Sequence, residues 1–221
     1  APSVPGTGRA ARLYRNTGAG AFTLITTSIA AVDGSAAAWS DIDGDGDMDL
    51  AITGSVGYPN ATARVYRNDG FQSAAAWTFT DLDAGLIGML GGSLAWGDYD
   101  GDGDPDLVTI GQRYSPSGNY AYVYANLGGG AFALAHTLAG SSDTDVAWGD
   151  YDNDGDLDLI YGGQNAAISV YRNDPGSGGA RALSAVSLAV TGVNRAALAW
   201  GDYNNDGDLD LAIAGMNISG L

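Results

Sequence analysis

The sequence predicts an all-β chain: a β-propeller of four-stranded antiparallel blades, with four blades per chain. Three observations predict it. A nine-residue acidic stretch occurs four times, a tryptophan stands two residues before each copy, and a short apolar run ending in glycine follows each. Trp39, Trp96, Trp148 and Trp200 are spaced by 57, 52 and 52 residues. Repetition at a period of about 50 residues, in runs too short for helices, marks a supersecondary unit that is stacked on its own copies.

Each unit reads as four short strands. The first is rich in small residues and ends in tryptophan ("SLAWGD", "AALAWGD"), which suits a crowded central axis. The second follows the acidic stretch: "LAITG", "LVTIG", "LIYGG" and "LAIAG". The third carries Tyr-x-Asn, as "VYRN" at 65–68, "VYAN" at 123–126 and "VYRN" at 170–173, and the fourth is a looser run such as "AFALAHT". The remaining Tyr-x-Asn copy is "LYRN" at 13–16, at the far end of the chain. Residues 1–26 are therefore expected to supply strands three and four of the closing blade, and residues 195–216 its strands one and two. The whole of 1–221 is then one domain. Joining the halves leaves no open sheet edge. Closure within one chain gives a single four-bladed ring; closure between two chains gives an eight-bladed ring and a homodimer.

Composition narrows the function. Among 221 residues there are 35 glycines, no cysteine and one histidine, so disulfides and thiolate metal sites are excluded. The formal net charge is −17, yet all 26 acids are aspartate and 19 of them lie in the four acidic stretches. Elsewhere seven aspartates face nine arginines. The acidity is local, and without a basic stripe a nucleic-acid partner is not expected. No apolar run approaches the roughly 18 residues of a membrane span, so membrane insertion is not expected.

Five aspartates in "DIDGDGDMD" (41–49) repel one another by about 3 kcal/mol per close pair at an effective dielectric near 20. The copies "DYDGDGDPD", "DYDNDGDLD" and "DYNNDGDLD" share the form D-x-[DN]-x-D-G-D-x-D. Side chains at positions 1, 3, 5 and 9 with a carbonyl at position 7 make an all-oxygen cage, and glycine at position 6 permits the bend. Calcium accepts such an irregular shell better than magnesium, and zinc or copper would want nitrogen or sulfur. An EF-hand would need glutamate at position 12, where this chain has Ile52, Thr109, Tyr161 and Ile213.

The four copies of "AW[SG]D-x-[DN]-x-D-G-D-x-D-L" together with "YRN" resemble FG-GAP or VCBS-type repeats, the blades of the integrin alpha-subunit propeller and of many secreted bacterial proteins. The resemblance covers almost the whole chain and implies about four calcium ions, held in loops between strands one and two. By position it implies Asp41, Asp43, Asp45 and Asp49 with the Asp47 carbonyl, and Asp98, Asp100, Asp102 and Asp106 with the Asp104 carbonyl. The third set is Asp150, Asp152, Asp154 and Asp158 with the Asp156 carbonyl. The fourth is Asp202, Asn204, Asp206 and Asp210 with the Asp208 carbonyl. It further implies a secreted or cell-surface protein used in adhesion. Integrin-like propellers usually have seven blades, whereas this chain encodes four.

No catalytic residues are expected. His136 lies on a strand, and the acids outside the loops, including Asp33, Asp81, Asp83, Asp143 and Asp145, show no paired spacing. The turns between strands two and three emerge opposite the acidic loops and carry Tyr58, Arg113, Tyr114, Asn119, Gln164 and Asn165. Aromatic faces beside amide and guanidinium donors suit a glycan or an extracellular protein. The alternatives are a self-assembling scaffold without a ligand and, last, a hydrolase of glycans or phosphoesters. "NAT" at 60–62 and "NIS" at 217–219 are glycosylation sequons if a eukaryote secretes the chain. Asn204 leaves the fourth loop one carboxylate short, and fewer ligand charges weaken calcium binding. Calorimetry is expected to show a fourth site weaker than the rest, tightened by Asn204→Asp.

Overall fold

The second strand of each unit is apolar at consecutive positions, which only a strand buried on both faces can afford. The computed structural model, which describes residues 8–73, 76–163, 168–177 and 180–216, has this arrangement. Three antiparallel four-stranded sheets follow one another in meander order. The first is β3 (Asp33–Ser40), β4 (Asp49–Gly57), β5 (Asn60–Ser73) and β6 (Ala76–Asp81). The second is β7 (Leu90–Gly97), β8 (Asp106–Tyr114), β9 (Ser117–Asn126) and β10 (Phe132–Ala139). The third is β11 (Asp145–Gly149), β12 (Asp158–Gly162), β13 (Ile168–Pro175) and β14 (Arg181–Val186). Two-stranded sheets flank them: β1 (Leu13–Gly18) with β2 (Ala21–Ile25), and β15 (Asn194–Gly201) with β16 (Asp210–Met216). The four-stranded antiparallel sheets are those expected from the sequence. The closing blade is not assembled within the single chain, because β1–β2 and β15–β16 remain separate sheets.

Register repeats from blade to blade. Trp39, Trp96, Trp148 and Trp200 lie opposite Leu50, Leu107, Leu159 and Leu211. Those leucines in turn face Tyr66, Tyr124 and Tyr171 in the complete sheets. Because successive side chains point to opposite faces, each second strand packs against two neighbours. Leu107 joins Ile42, Ala51 and Val65 of the first sheet, while Val108 and Ile110 join Val146, Leu159 and Tyr161 of the third. Ile160 turns the other way, toward Ala196 and Leu198 of β15. These parts of the core lie between sheets.

Backbone approach at the axis requires glycine. A Cβ at Gly97 would stand 2.7 Å from the Trp148 ring, and one at Gly149 would stand 2.5 Å from Trp200. Trp148 and Trp200 thus lie over the glycine that ends the first strand of the preceding blade, a position that Ser40 takes in the first complete sheet.

The Tyr-x-Asn asparagines fasten the sheets to one another. Asn126 is fully buried; its amide nitrogen Nδ2 donates to Pro105 O at 3.2 Å and to Ile42 O of the previous blade at 3.0 Å. Its Oδ1 accepts the Gly128 N–H. Asn173 does the same with Leu157 O and with Tyr99 O of the previous blade. Asn126→Ala leaves two buried carbonyls and one N–H without partners, at roughly 1–3 kcal/mol for each group that water cannot reach. Urea titration is expected to show a loss of about 2–4 kcal/mol.

Candidate metal centres and the opposite face

All four acidic loops connect strands one and two and therefore emerge on one face. The aspartate at position 1 shapes each loop: its Oδ2 accepts the N–H of the position 6 glycine, at 3.0 Å from Gly46, Gly103 and Gly155 and 2.9 Å from Gly207. Those glycines have φ of +89°, +98°, +95° and +94°, a left-handed region that a side chain would strain. Position 4 is left-handed as well. Gly44, Gly101, Asn153 and Asn205 occupy it, glycine and asparagine being the residues that tolerate it best. The sequence carried that signal as a restriction to Gly or Asn, but it reads only as a variable position until the backbone is known.

Curling the loop brings carboxylates together. Oxygens of Asp41, Asp43 and Asp45 lie within 4.8 Å of one another, as do those of Asp98, Asp100 and Asp106, and of Asp150, Asp152 and Asp158. These three groups can hold a metal ion, and their donors, all oxygen, fit a hard cation. The fourth loop gathers no such trio of carboxylates among the described residues. There the Asn204 amide donates to Asp206 at 2.9 Å.

The position 9 aspartate has a second job. Asp49, Asp106 and Asp158 are all fully buried. Asp106 Oδ2 accepts the Tyr99 N–H at 2.9 Å and its Oδ1 accepts the Asn126 N–H at 2.7 Å, so it ties the loop to the third strand. Asp49 does so with Ile42 and Asn68, and Asp158 with Tyr151 and Asn173. Burial pushes the Asp106 carboxyl up to about 7 and Asp158 up to about 6, against the relief given by those N–H bonds; neighbouring aspartates add to the rise. Burial raises Asp49 and Asp100 too. Carboxylates held this far from their ordinary range are stabilised by a cation among them.

In the third and fourth loops the position 7 side chain is engaged elsewhere, which leaves the carbonyl as its contribution to a cage. Asp156 pairs with Arg181 of β14, whose guanidinium also donates to the Asp100 carbonyl of the preceding loop at 3.3 Å. Asp208 accepts from Asn153 of the preceding loop at 2.6 Å. Sequence reasoning missed Arg181, since nothing near "GGARAL" announces a contact 81 residues away. Asp145, expected only as an acid without paired spacing, has a joining role that the sequence did not show. It accepts the Leu198 N–H at 3.0 Å and the Ser93 hydroxyl at 3.2 Å, joining three first strands. Asp33 and Asp81 are in ion pairs with Arg9 and Arg64. His136 lies on β10, half-buried and edge-on to Tyr99, and burial lowers its pKa.

On the opposite face the β4–β5 and β8–β9 turns meet. Tyr58 and Tyr114 stack edge to face, ring centres 4.8 Å apart, and Tyr58 is 81 % exposed. Arg113 donates to the Tyr122 hydroxyl and to Ser115 O, both at 2.8 Å. A cleft of about 350 Å³ runs between Pro59, Asn60, Gly88, Arg113 and Tyr114. Asn119 sits within β9 opposite Gln112 and does not line it. Gln164 and Asn165 lie outside the described residues.

Repeated antiparallel sheets with an acidic loop between strands one and two define a class of β-repeat proteins, and the comparisons agree. Residues 4–52, 41–109 and 150–213 match the FG-GAP-like repeat family. The chain belongs to that family. No curated protein matches it. Among solved structures, a chain in a cryo-EM structure of RAG in complex with one melted RSS and one unmelted RSS superposes with a TM-score of 0.54 at 14 % identity. The match covers 80 % of this chain and 60 % of that one, and it shows a shared fold. Among the described residues no helix is long and apolar enough to cross a membrane.

The raised Asp106 gives a pH prediction. A folded-state pKa near 7 against an ordinary 3.8 means that the folded, metal-free protein holds this proton more tightly than the unfolded chain. The burial penalty is present in full above the folded pKa and is relieved as the pH falls through it. Metal-free protein is expected to melt higher at about pH 6.5 than at about pH 8, with His136 offsetting part of the gain because burial lowers its pKa and the unfolded imidazole takes up a proton at the low end of that window. Metal-loaded protein should show no such gain, because proton and cation compete for the same oxygens.

Proposed function

We propose that the chain is a calcium-stabilised recognition module of a secreted or cell-surface protein, a binder rather than an enzyme. The observation that carries the reading is the division of labour between its faces. One bears loops of clustered carboxylates, and the other bears the Tyr58–Tyr114 pair above a cleft flanked by Arg113. Calcium would be held by Asp41, Asp43, Asp45 and Asp49 in the first loop, by Asp98, Asp100, Asp102 and Asp106 in the second, and by Asp150, Asp152, Asp154 and Asp158 in the third. Asp202, Asn204, Asp206 and Asp210 form the weaker fourth site. When bound, the ion neutralises the loop and lets it keep the curl that its backbone hydrogen bonds begin.

The opposite cleft suits a glycan. Sugar rings lay their C–H faces on exposed aromatic rings, while hydroxyls seek amides and carbonyls at the rim. Family membership supports adhesion or recognition as the class of work.

Linkage gives the size of the metal effect. At a hundredfold excess over the dissociation constant each site adds about 2.7 kcal/mol, so several sites add on the order of a whole domain's stability. Chelator is expected to lower the melting temperature sharply, with calcium restoring it and magnesium restoring it poorly. A glycan array probed with calcium-loaded protein is expected to give binding that Tyr58→Ala and Tyr114→Ala abolish. Melting indifferent to chelator would remove the calcium reading, and an array without signal would remove the glycan reading.

A further inference from the structure

The two flanking sheets are the matched halves of one more blade, and each half already holds its side of the joint. In the complete blades the position 9 aspartate accepts the loop N–H on Oδ2 and the asparagine N–H on Oδ1. Asp210 has the first contact, from Tyr203 N at 3.1 Å. Its Oδ1 has no partner among the described residues. On the other half, Asn16 Oδ1 accepts the Gly18 N–H at 2.9 Å, as Asn68 does from Gly70 and Asn126 from Gly128. Asn16 lies opposite Phe22, the register of Asn68 opposite Phe79 and Asn126 opposite Phe132. That register turns the asparagine N–H toward a second strand, which β1 lacks.

The ends also carry an unfilled seat and an unseated ring. Gly97 lies under Trp148 and Gly149 under Trp200, but a Cβ at Gly201 would meet nothing within 4 Å. A cavity of about 320 Å³, bounded by Trp200, Gly201, Tyr203 and Leu211, opens there. Tyr203 is 85 % exposed, whereas its counterparts Ile42 and Tyr99, covered by the following blade, are 1 % and 5 % exposed. Trp39, the tryptophan with no preceding blade in the chain, is 43 % exposed.

We propose that a second copy of this chain fills both ends, its β1–β2 hairpin pairing with β16 and its Trp39 seating on Gly201. The occupant follows from these matches: within one chain Gly201 and Trp39 are both uncovered, so the ends do not meet each other. In the joined blade Asn16 N–H bonds Asp210 Oδ1, and Asn16 Nδ2 bonds Leu209 O and Tyr151 O. Asn68 Nδ2, which among the described residues bonds Met48 O, gains Tyr203 O. Each copy offers one of each half, so two copies make two identical joints and a head-to-tail contact closes into a ring. Closure pairs the open edge of β1 with that of β16.

Gly201 supplies a clean test, because its open surroundings let the single chain accept a side chain there. With calcium present, sedimentation is expected to give twice the 22.4 kDa of one chain. Gly201→Leu is expected to sediment as one chain with an unchanged circular dichroism spectrum. Since the protein has no cysteine, Trp39→Cys mixed with Gly201→Cys is expected to oxidise to a linked pair of chains. A wild-type monomer, an open-ended polymer, or a Gly201→Leu variant that still pairs would each overturn the proposal. So would a Trp39→Cys/Gly201→Cys chain that links only to itself.

Discussion

A carboxylate removed from water must be given positive charge or hydrogen-bond donors, and this fold is arranged around meeting that demand at Asp49, Asp106 and Asp158. Each sits at the end of an acidic loop and the start of a second strand. Each is buried completely and takes one N–H from the loop and one from the third strand. Those contacts fix how the loop leaves the sheet, which places the other carboxylates in one cluster. They also fix the asparagine whose side chain reaches the previous blade. Loop shape, sheet register and blade packing therefore share one buried group. Two N–H bonds do not compensate it fully, as the upward shift of Asp106 shows, and a cation in the adjoining cluster is the natural complement.

Much of this was legible in the sequence, because the physics involved is local. Glycine at position 6, alternating aspartates and a tryptophan at fixed distance are short-range signals, and four copies make them unambiguous. The half-unit "LYRN" at 13–16 was legible by the same comparison. The roles of Asn126 and Asn173 were not, although the motif holding them was plain. A hydrogen bond from Asn126 to Ile42 spans 84 residues, and only the stacking of sheets creates it. Position 9 was read as a metal ligand alone; its second role as the tie to strand three depends on where that strand passes. Of the residues expected on the opposite face, Tyr58, Arg113 and Tyr114 converge because equivalent turns of adjacent blades are neighbours. Asn119 does not join them, since β9 begins before it and carries it into the sheet.

The two faces differ in how they are built. The loop face is held by backbone N–H groups donating to carboxylates, and it is cross-linked from loop to loop by Arg181 and Asn153. The turn face is held by side-chain packing, Tyr58 on Tyr114 and the stacked Tyr120 and Tyr122 against Arg113. Substituting an exposed ring there costs little of the fold, whereas substituting a loop aspartate disturbs the sheet beneath it. A surface that can vary without unfolding its support is the kind on which binding specificity is readily changed.

The double-sided burial of the second strands has a consequence for how the molecule comes apart. Leu107 belongs to the core shared with the first sheet and Val108 to the core shared with the third, so the middle sheet is packed through both neighbours. Stability then resides in the junctions, and the chain behaves as a one-dimensional array of nearest-neighbour couplings. A junction at the middle is gripped from both sides; one at either end is gripped from one. Unfolding should enter as fraying, with amide exchange fastest in β1, β2, β15 and β16 and slowest in β8, so that the least protected strands are those that would meet in the joint.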